Sequence, residues 1–237
     1  MNYISYGAGT NSTAMILEMV DRKIDIDLIL FADTKAERPD TYKFITIFQD
    51  YLKQFDLEII IVSNSVNLYD DCIKRRALPS LAYGFKTCSQ RFKIEPQTKY
   101  IRYLQIDSKI NKYIGYDIGE AHRIKNYNDK KFNVIYPLVD WQMTRDDCRN
   151  TIKRHNLPLP GKSSCYFCPS MRKTEIIELS KRFPELFNKA IQLEKNANLT
   201  NIKGLGRNFS WEQIVKHNTE NLFPETLIPD IVCECYD

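Results

Sequence analysis

No apolar run in the chain approaches the roughly 20 residues that a bilayer-spanning helix needs, and the opening MNYISYGAG lacks the basic and apolar regions of a signal peptide. A cytoplasmic protein with no membrane partner is therefore expected. Cysteine is scarce. Seven in 237 residues are too few for a disulfide scaffold, and in a reducing compartment clustered thiols more often bind metal or do redox work. No internal repeat or low-complexity linker breaks the sequence. No Ser/His/Asp set, H-E-x-x-H or paired-carboxylate pattern stands out, and His122, His155 and His217 are scattered enough to read as surface or core histidines. Excess charge is small at +4, although Lys74, Arg75 and Arg76 run together and Lys86, Arg91 and Lys93 bracket a cysteine. Such clusters mark either a polyanion site or a solvated face.

What is present is an ordinary globular composition, 43% hydrophobic and 27% charged, over a length that suits one large domain or one domain with a smaller appendage. Residues 2–6 form a short β-prone run ending in a glycine turn, and residues 13–20 read as helical through Ala14, Ile16, Leu17 and Met19. Uninterrupted apolar strands are expected over 27–31 (DLILF) and 58–63 (EIIIVS), with an amphipathic helix over 39–55 between them. Further helices are expected over 96–105 and 144–155, and further strands over 112–115 and 134–137. Buried strands alternating with helices point to an α/β fold, a doubly wound, mostly parallel five-stranded sheet with helices on both faces. From Leu157 onward the character changes to prolines, a C-x-x-C and three helical stretches over 174–183, 184–196 and 211–217. The chain accordingly divides into a sheet domain over 1–156 and a helical, cysteine-bearing extension over 157–237.

The first strand runs into Ser5-Tyr6-Gly7-Ala8-Gly9-Thr10-Asn11-Ser12, and a helix comes at once after it. Glycines let the backbone turn tightly and approach a ligand, while the unpaired N–H groups and dipole of the helix favour an anion such as a phosphate. The plain alternative is a strand-to-helix connection. A dinucleotide fingerprint would need a third glycine where Ser12 stands, although Asp33 occupies the place of its ribose-binding acid. Gly161-Lys162-Ser163 matches the end of a Walker A loop, but Asn156 stands where the first glycine belongs and Pro158 and Pro160 intervene with no strand before them. A Walker loop is therefore rejected.

The turn resembles the PP-loop, S-G-G-x-D-S and its variants, of the ATP pyrophosphatases and the phosphoadenylyl-sulfate (PAPS) reductase family. Residues 31–34 (FADT) followed by 38–44 (RPDTYKF) resemble that family's D-T-G-x-x-x-P-E-T-Y-x-F block. Cys88 with Arg91, Lys93, Ile94 and Pro96 resembles its C-x-x-x-(R/K)-x-x-P block, and residues 115–123 (GYDIGEAHR) its G-x-R-x-x-E-S-x-x-R block. Tyr136-Pro137-Leu138 with Trp141 resembles the segment after that. These blocks run in family order over about residues 3–170.

The resemblance implies a HUP-like nucleotide-binding domain, with Ser5, Gly7, Gly9, Thr10, Asn11, Ser12 and Gly115 at the nucleotide phosphates and Asp33 and Thr34 near the nucleoside. Two departures matter. Asn11 replaces the loop aspartate and carries no charge for Mg²⁺, which leaves Asp33 as a candidate acid, and Asp117 replaces the arginine of the G-x-R block. Asp33, Lys86, Arg91, Lys93 and Arg123 are the candidate catalytic residues, with Lys35 as a further cation.

Cys165-Tyr166-Phe167-Cys168-Pro169 is a C-x-x-C followed by proline, a loop that sets two thiolates on one metal or cluster edge. The resemblance implies a [4Fe-4S] cluster rather than zinc, held by Cys88, Cys165 and Cys168 with Cys235 or Cys233 as the fourth ligand. Cys72 and Cys148 read as packed structural thiols. A folding-only metal site is the plain alternative for the set.

The function the resemblance implies is an ATP pyrophosphatase that adenylates an acceptor for sulfur insertion. The nearest branch is that of DNA phosphorothioation, with ATP and Mg²⁺, a DNA partner and sulfur from a cysteine desulfurase. PAPS or APS reduction, tRNA thiolation, and a non-catalytic nucleotide-binding subunit are the alternatives.

Overall fold

The computed structural model describes residues 1–79, 86–124 and 129–220. Five strands, β1 (Asn2–Tyr6), β2 (Leu28–Asp33), β3 (Ile59–Ser63), β4 (Ile110–Tyr113) and β5 (Phe132–Ile135), pair in parallel in the order β3-β2-β1-β4-β5. This is the doubly wound α/β sheet expected from the sequence. The chain winds from β1 through α1 (Thr10–Asp21) to β2, and through α2 (Pro39–Leu52) to β3. It then returns past β1, and the winding direction reverses between β1 and β4, whose residues Ile4 and Tyr113 are register partners.

Burial explains the strand order. In β2 Leu28 to Ala32 are all buried, as a strand covered on both faces requires, whereas β3, expected to be buried, has only Ile59 buried and Ile61 on the same face 57% exposed, which marks an edge. One sheet face packs Ile4, Tyr6, Met15, Phe31 and Phe48, and the other packs Tyr3, Leu28, Leu30, Ile101 and Ile110. α1 lies between the sheet and α7 (Arg145–Arg154), and every side chain from Thr10 to Met19 is buried. Its Glu18 is satisfied there by Thr151 Oγ1 at 2.7 Å and by the guanidinium groups of Arg154 and Arg22.

A further core lies beyond the sheet. α8 (Lys173–Arg182), α9 (Pro184–Asn196) and α10 (Trp211–Glu220) pack Leu179, Leu193 and Trp211 with Leu68 and Cys72 of α3 (Leu68–Arg75) and with Phe92. The helix α3 was not expected. Only Leu68 and Cys72 are buried in it, so it has no apolar stripe to read, and its start is fixed by Asn67, whose side chain accepts from Asp70 N at 2.7 Å. The segment from Cys88 also coils earlier than predicted, through α4 (Thr87–Ser89) and a π-type turn (Gln90–Ile94) into α5 (Glu95–Tyr103). A short α6 (Pro137–Asp140) precedes α7. Among the described residues no helix is long and apolar enough to cross a membrane.

Candidate functional site

In open α/β sheets the crevice at the carboxyl ends of the strands, where the winding reverses, is the place a ligand reaches. Here that crevice lies between the exits of β1 and β4, where the 7–12 loop meets Gly115. Gly9 caps α1, with its carbonyl accepting the first helical hydrogen bond from Thr13 N at 3.0 Å. The helix therefore starts at Thr10, three residues earlier than the sequence suggests, because its polar first turn reads as loop. The amides of Thr10, Asn11 and Ser12 consequently have no acceptor one turn earlier. Ser12 braces the loop from within, its Oγ accepting from Gly7 N and Gly9 N at 3.3 and 3.4 Å. The left-handed residue of the turn is Ala8, at φ 54°, a strained conformation for a residue with a Cβ. Gly115 is needed for another reason: a Cβ there would come within 2.8 Å of the Ser12 backbone.

Asn11 is the hub of a hydrogen-bonded network. Its Nδ2 donates to Asp117 Oδ2 and Glu120 Oε2 at 2.8 and 2.7 Å, and its Oδ1 accepts from Arg145 at 2.8 Å. Glu120 pairs in turn with the buried Arg123, which lies over the Tyr116 ring at 4.2 Å. The loop and this network form one side of a cavity of about 640 Å³. Five cations line it, Arg123, Arg145, Arg149, Lys162 and Arg172, against the carboxylates Asp117, Glu120 and Glu175. Its size and its cationic excess suit a small polyanion.

The structure brings Gly7, Gly9, Thr10, Asn11, Ser12, Gly115 and Arg123 together in that lining. The other candidates lie elsewhere. Ser5 donates to Gln97 at 2.9 Å and lines, with Lys93, a small cavity of about 20 Å³, space for about one water. Asp33 accepts from Lys35 N and Tyr42 Oη at 2.7 and 2.8 Å. Thr34 is buried and donates to Glu37 at 3.1 Å. Arg91 is forked onto Asp71 with both contacts at 3.1 Å, and the Lys86 carbonyl accepts from Gln90 N at 3.0 Å in the Cys88 turn. Asp33, Thr34, Lys86 and Arg91 are thus outside the lining of either cavity, and the acids on the large one are Asp117, Glu120 and Glu175 rather than Asp33.

Sequence reasoning missed Arg145, Arg149, Lys162 and Arg172. A signal existed for the first two, four residues apart and so on one face of the helix expected over 144–155. The signal for Lys162 was the G-K-S triplet that was set aside with the Walker reading.

Of the cysteines expected at a cluster, Cys88, Cys165 and Cys168 are among the described residues. Cys165 is buried against Thr34 Oγ1 at 3.2 Å and Glu37 at 3.8 Å, and an antiparallel bridge joins Glu37 to Cys165. Burial pushes its thiol pKa well up, and the Glu37 carboxylate and the Cys88 thiol push it the same way against Lys93. Cys168 closes the next turn, its N–H donating to Cys165 O at 3.0 Å. Cys233 and Cys235 lie outside the described residues. Among the described residues no three His, Cys, Asp or Glu side chains converge as a metal site. The Glu37 carboxylate stands beside Cys165. Cys72 and Cys148 are fully buried in the cores, as packed thiols.

No family model matches the sequence. The chain is similar to two uncharacterized proteins of Methanocaldococcus jannaschii. One, MJ0973, is 23% identical over 212 residues, covering 81% of this chain and 47% of that protein. The other, MJ0066, is 25% identical over 199 residues, covering 78% of this chain and 40% of that protein. The chain thus spans less than half the length of these curated relatives.

Proposed function

We propose that the protein is an ATP pyrophosphatase of the PAPS reductase-like class. It adenylates an acceptor for sulfur insertion, the acceptor being the DNA backbone and the sulfur coming from a cysteine desulfurase or similar donor. One observation carries this reading: the 640 Å³ cavity at the switch point has the start of α1 on one wall and five cationic side chains around the rest. A chain of phosphates calls for that chemistry. An acceptor oxygen attacks the α-phosphorus, the bond to the α,β-bridging oxygen breaks, and pyrophosphate leaves with the bonding electrons. The loop amides and cations hold the triphosphate in line and neutralise the charge that grows on the leaving group. A sulfur nucleophile then displaces AMP. Asp117 and Glu120 are the lining carboxylates beside Asn11 and would hold Mg²⁺, which screens the phosphate charge. No step uses the [4Fe-4S] cluster, for which iron and sulfide analysis of anaerobically purified protein is the test.

A second reading, nucleotide binding without turnover, draws on Asn11, an uncharged residue already hydrogen-bonded on both sides. Pyrophosphate release from labelled ATP, with and without DNA and sulfur donor, separates the two. Release that DNA stimulates supports the pyrophosphatase. Nucleotide that binds and is not cleaved supports the binding subunit, and sulfite formed only from PAPS supports a reductase.

A further inference from the structure

Gly161, Lys162 and Ser163 do not come after a strand and do not open a helix, yet they line the same cavity as Gly7 and Gly9. Ser163 Oγ stands 2.8 Å from the point that a Cβ on Gly9 would occupy, so the two segments approach as closely as a missing side chain permits. Residues 164–166 anchor the segment on its C-terminal side. Arg38 N donates to Ser164 O at 3.3 Å, Tyr166 N donates to Ala36 O at 2.9 Å, and Cys165 bridges to Glu37. The exit of β2 thereby fixes residues 161–163 against the 7–12 loop. Lys162 Nζ is 2.7 Å from Glu175 Oε2, with the two side chains 23% and 21% exposed, and the same carboxylate oxygen accepts from Arg172 N at 2.8 Å. A largely desolvated ammonium on an anion cavity, paired with a carboxylate in the first turn of α8, can exchange that partner for a phosphate of greater charge.

We propose that residues 161–163 form a second phosphate-contacting loop. In it the Lys162 ammonium and the Ser163 hydroxyl engage the terminal phosphates of the nucleotide whose chain lies against residues 7–12. Glu175 is the partner that Lys162 leaves when nucleotide binds. This rests on the proposed nucleotide site and adds to it which residues read the length of the phosphate chain.

The experiment is equilibrium binding of ATP, ADP and AMP to the full chain, its Lys162→Met and Glu175→Gln variants, and Gly9→Val as the loop control, with thermal melts of each. Lys162→Met is expected to weaken ATP by about 10–50-fold and AMP by less than about twofold. Glu175→Gln keeps a hydrogen-bond acceptor for Arg172 N and removes the carboxylate charge from beside the ammonium, so ATP affinity is expected to rise several-fold. The two variants thus move ATP affinity in opposite directions, whereas a salt bridge that only supports the fold would lower stability in both and shift all three nucleotides together. Equal loss of ATP and AMP in Lys162→Met, or ATP affinity unchanged in both folded variants, overturns the second loop while leaving the first intact. A wild-type chain that binds none of the three nucleotides overturns both.

Discussion

Asn11 Nδ2 donates to Asp117 Oδ2 at 2.8 Å, tying the first turn of α1 to the segment after β4 across the cavity wall. These are the two positions noted in the sequence as departures, one from the resembled PP-loop and one from the resembled G-x-R block. Those patterns have an aspartate and an arginine where this chain has an amide and a carboxylate, a pair that still hydrogen-bonds. Arg145 reaches Asn11 Oδ1 from the start of α7 at 2.8 Å.

Asn11→Asp would set a third carboxylate against Asp117 and Glu120 in a buried corner. A destabilisation of about 1–3 kcal/mol is expected, read as a drop in Tm at neutral pH. Asn11→Asp combined with Asp117→Asn should recover most of it. A single variant that melts with the wild type would show that the carboxylates are not held as close as described.

Gly9 and Gly115 should respond differently to alanine. At Gly115 the new methyl meets the Ser12 backbone, which cannot move without α1, so a loss of about 2–3 kcal/mol is expected in denaturant unfolding. At Gly9 it meets only the rotatable Ser163 hydroxyl, so stability should stay within about 1 kcal/mol while nucleotide affinity falls. Equal melts for the two variants would contradict this.

Much of the fold was legible because the apolar runs DLILF and EIIIVS are short, rich in β-branched or large apolar residues and alternate with helical stretches, and both became parallel strands. The glycine turn was legible for the same kind of reason, although its left-handed residue proved to be Ala8. α3 escaped because two buried residues make no periodicity, and the cationic wall escaped because Arg145, Arg149, Lys162 and Arg172 are brought together by α7, α8 and the Glu37–Cys165 bridge. Arg91 and Asp33 show the converse: both match the resembled blocks, and both are bonded to other partners outside the cavity.

Burial pushes the thiols of Cys72 and Cys148 up to about 12, so neither is a thiolate near neutrality. A pulse of iodoacetamide at pH 8 should leave both unlabelled in the native protein and label both after denaturation, as mass spectrometry of peptides would show. Native labelling of Cys148 at the rate of an exposed thiol would contradict the packing of α7 on α1.

Burial works to raise the Glu18 carboxyl, but hydrogen bonds from Thr151, Arg154 and Arg22 outweigh it and hold its pKa below the ordinary value. With the folded value lowered, the unfolded chain takes up the proton first. The stability Glu18 contributes is complete above pH 4.5 and is lost as acid passes through the folded value. Glu18→Gln should therefore lower stability at pH 7 and flatten its decline below pH 4.5, measured by denaturant unfolding across that range. An acid limb as steep as that of the wild type would contradict the Glu18 contacts.

The proposed function depends on the 7–12 loop gripping a phosphate chain. Calorimetric titration of the wild type and Gly9→Val with ATP decides it, since a valine there collides with Ser163 and fills the gap between the two loops. Saturable ATP binding by the wild type with at least about tenfold loss in a folded Gly9→Val is the expected result. Equal affinity in the two proteins, or no binding by the wild type, would contradict it.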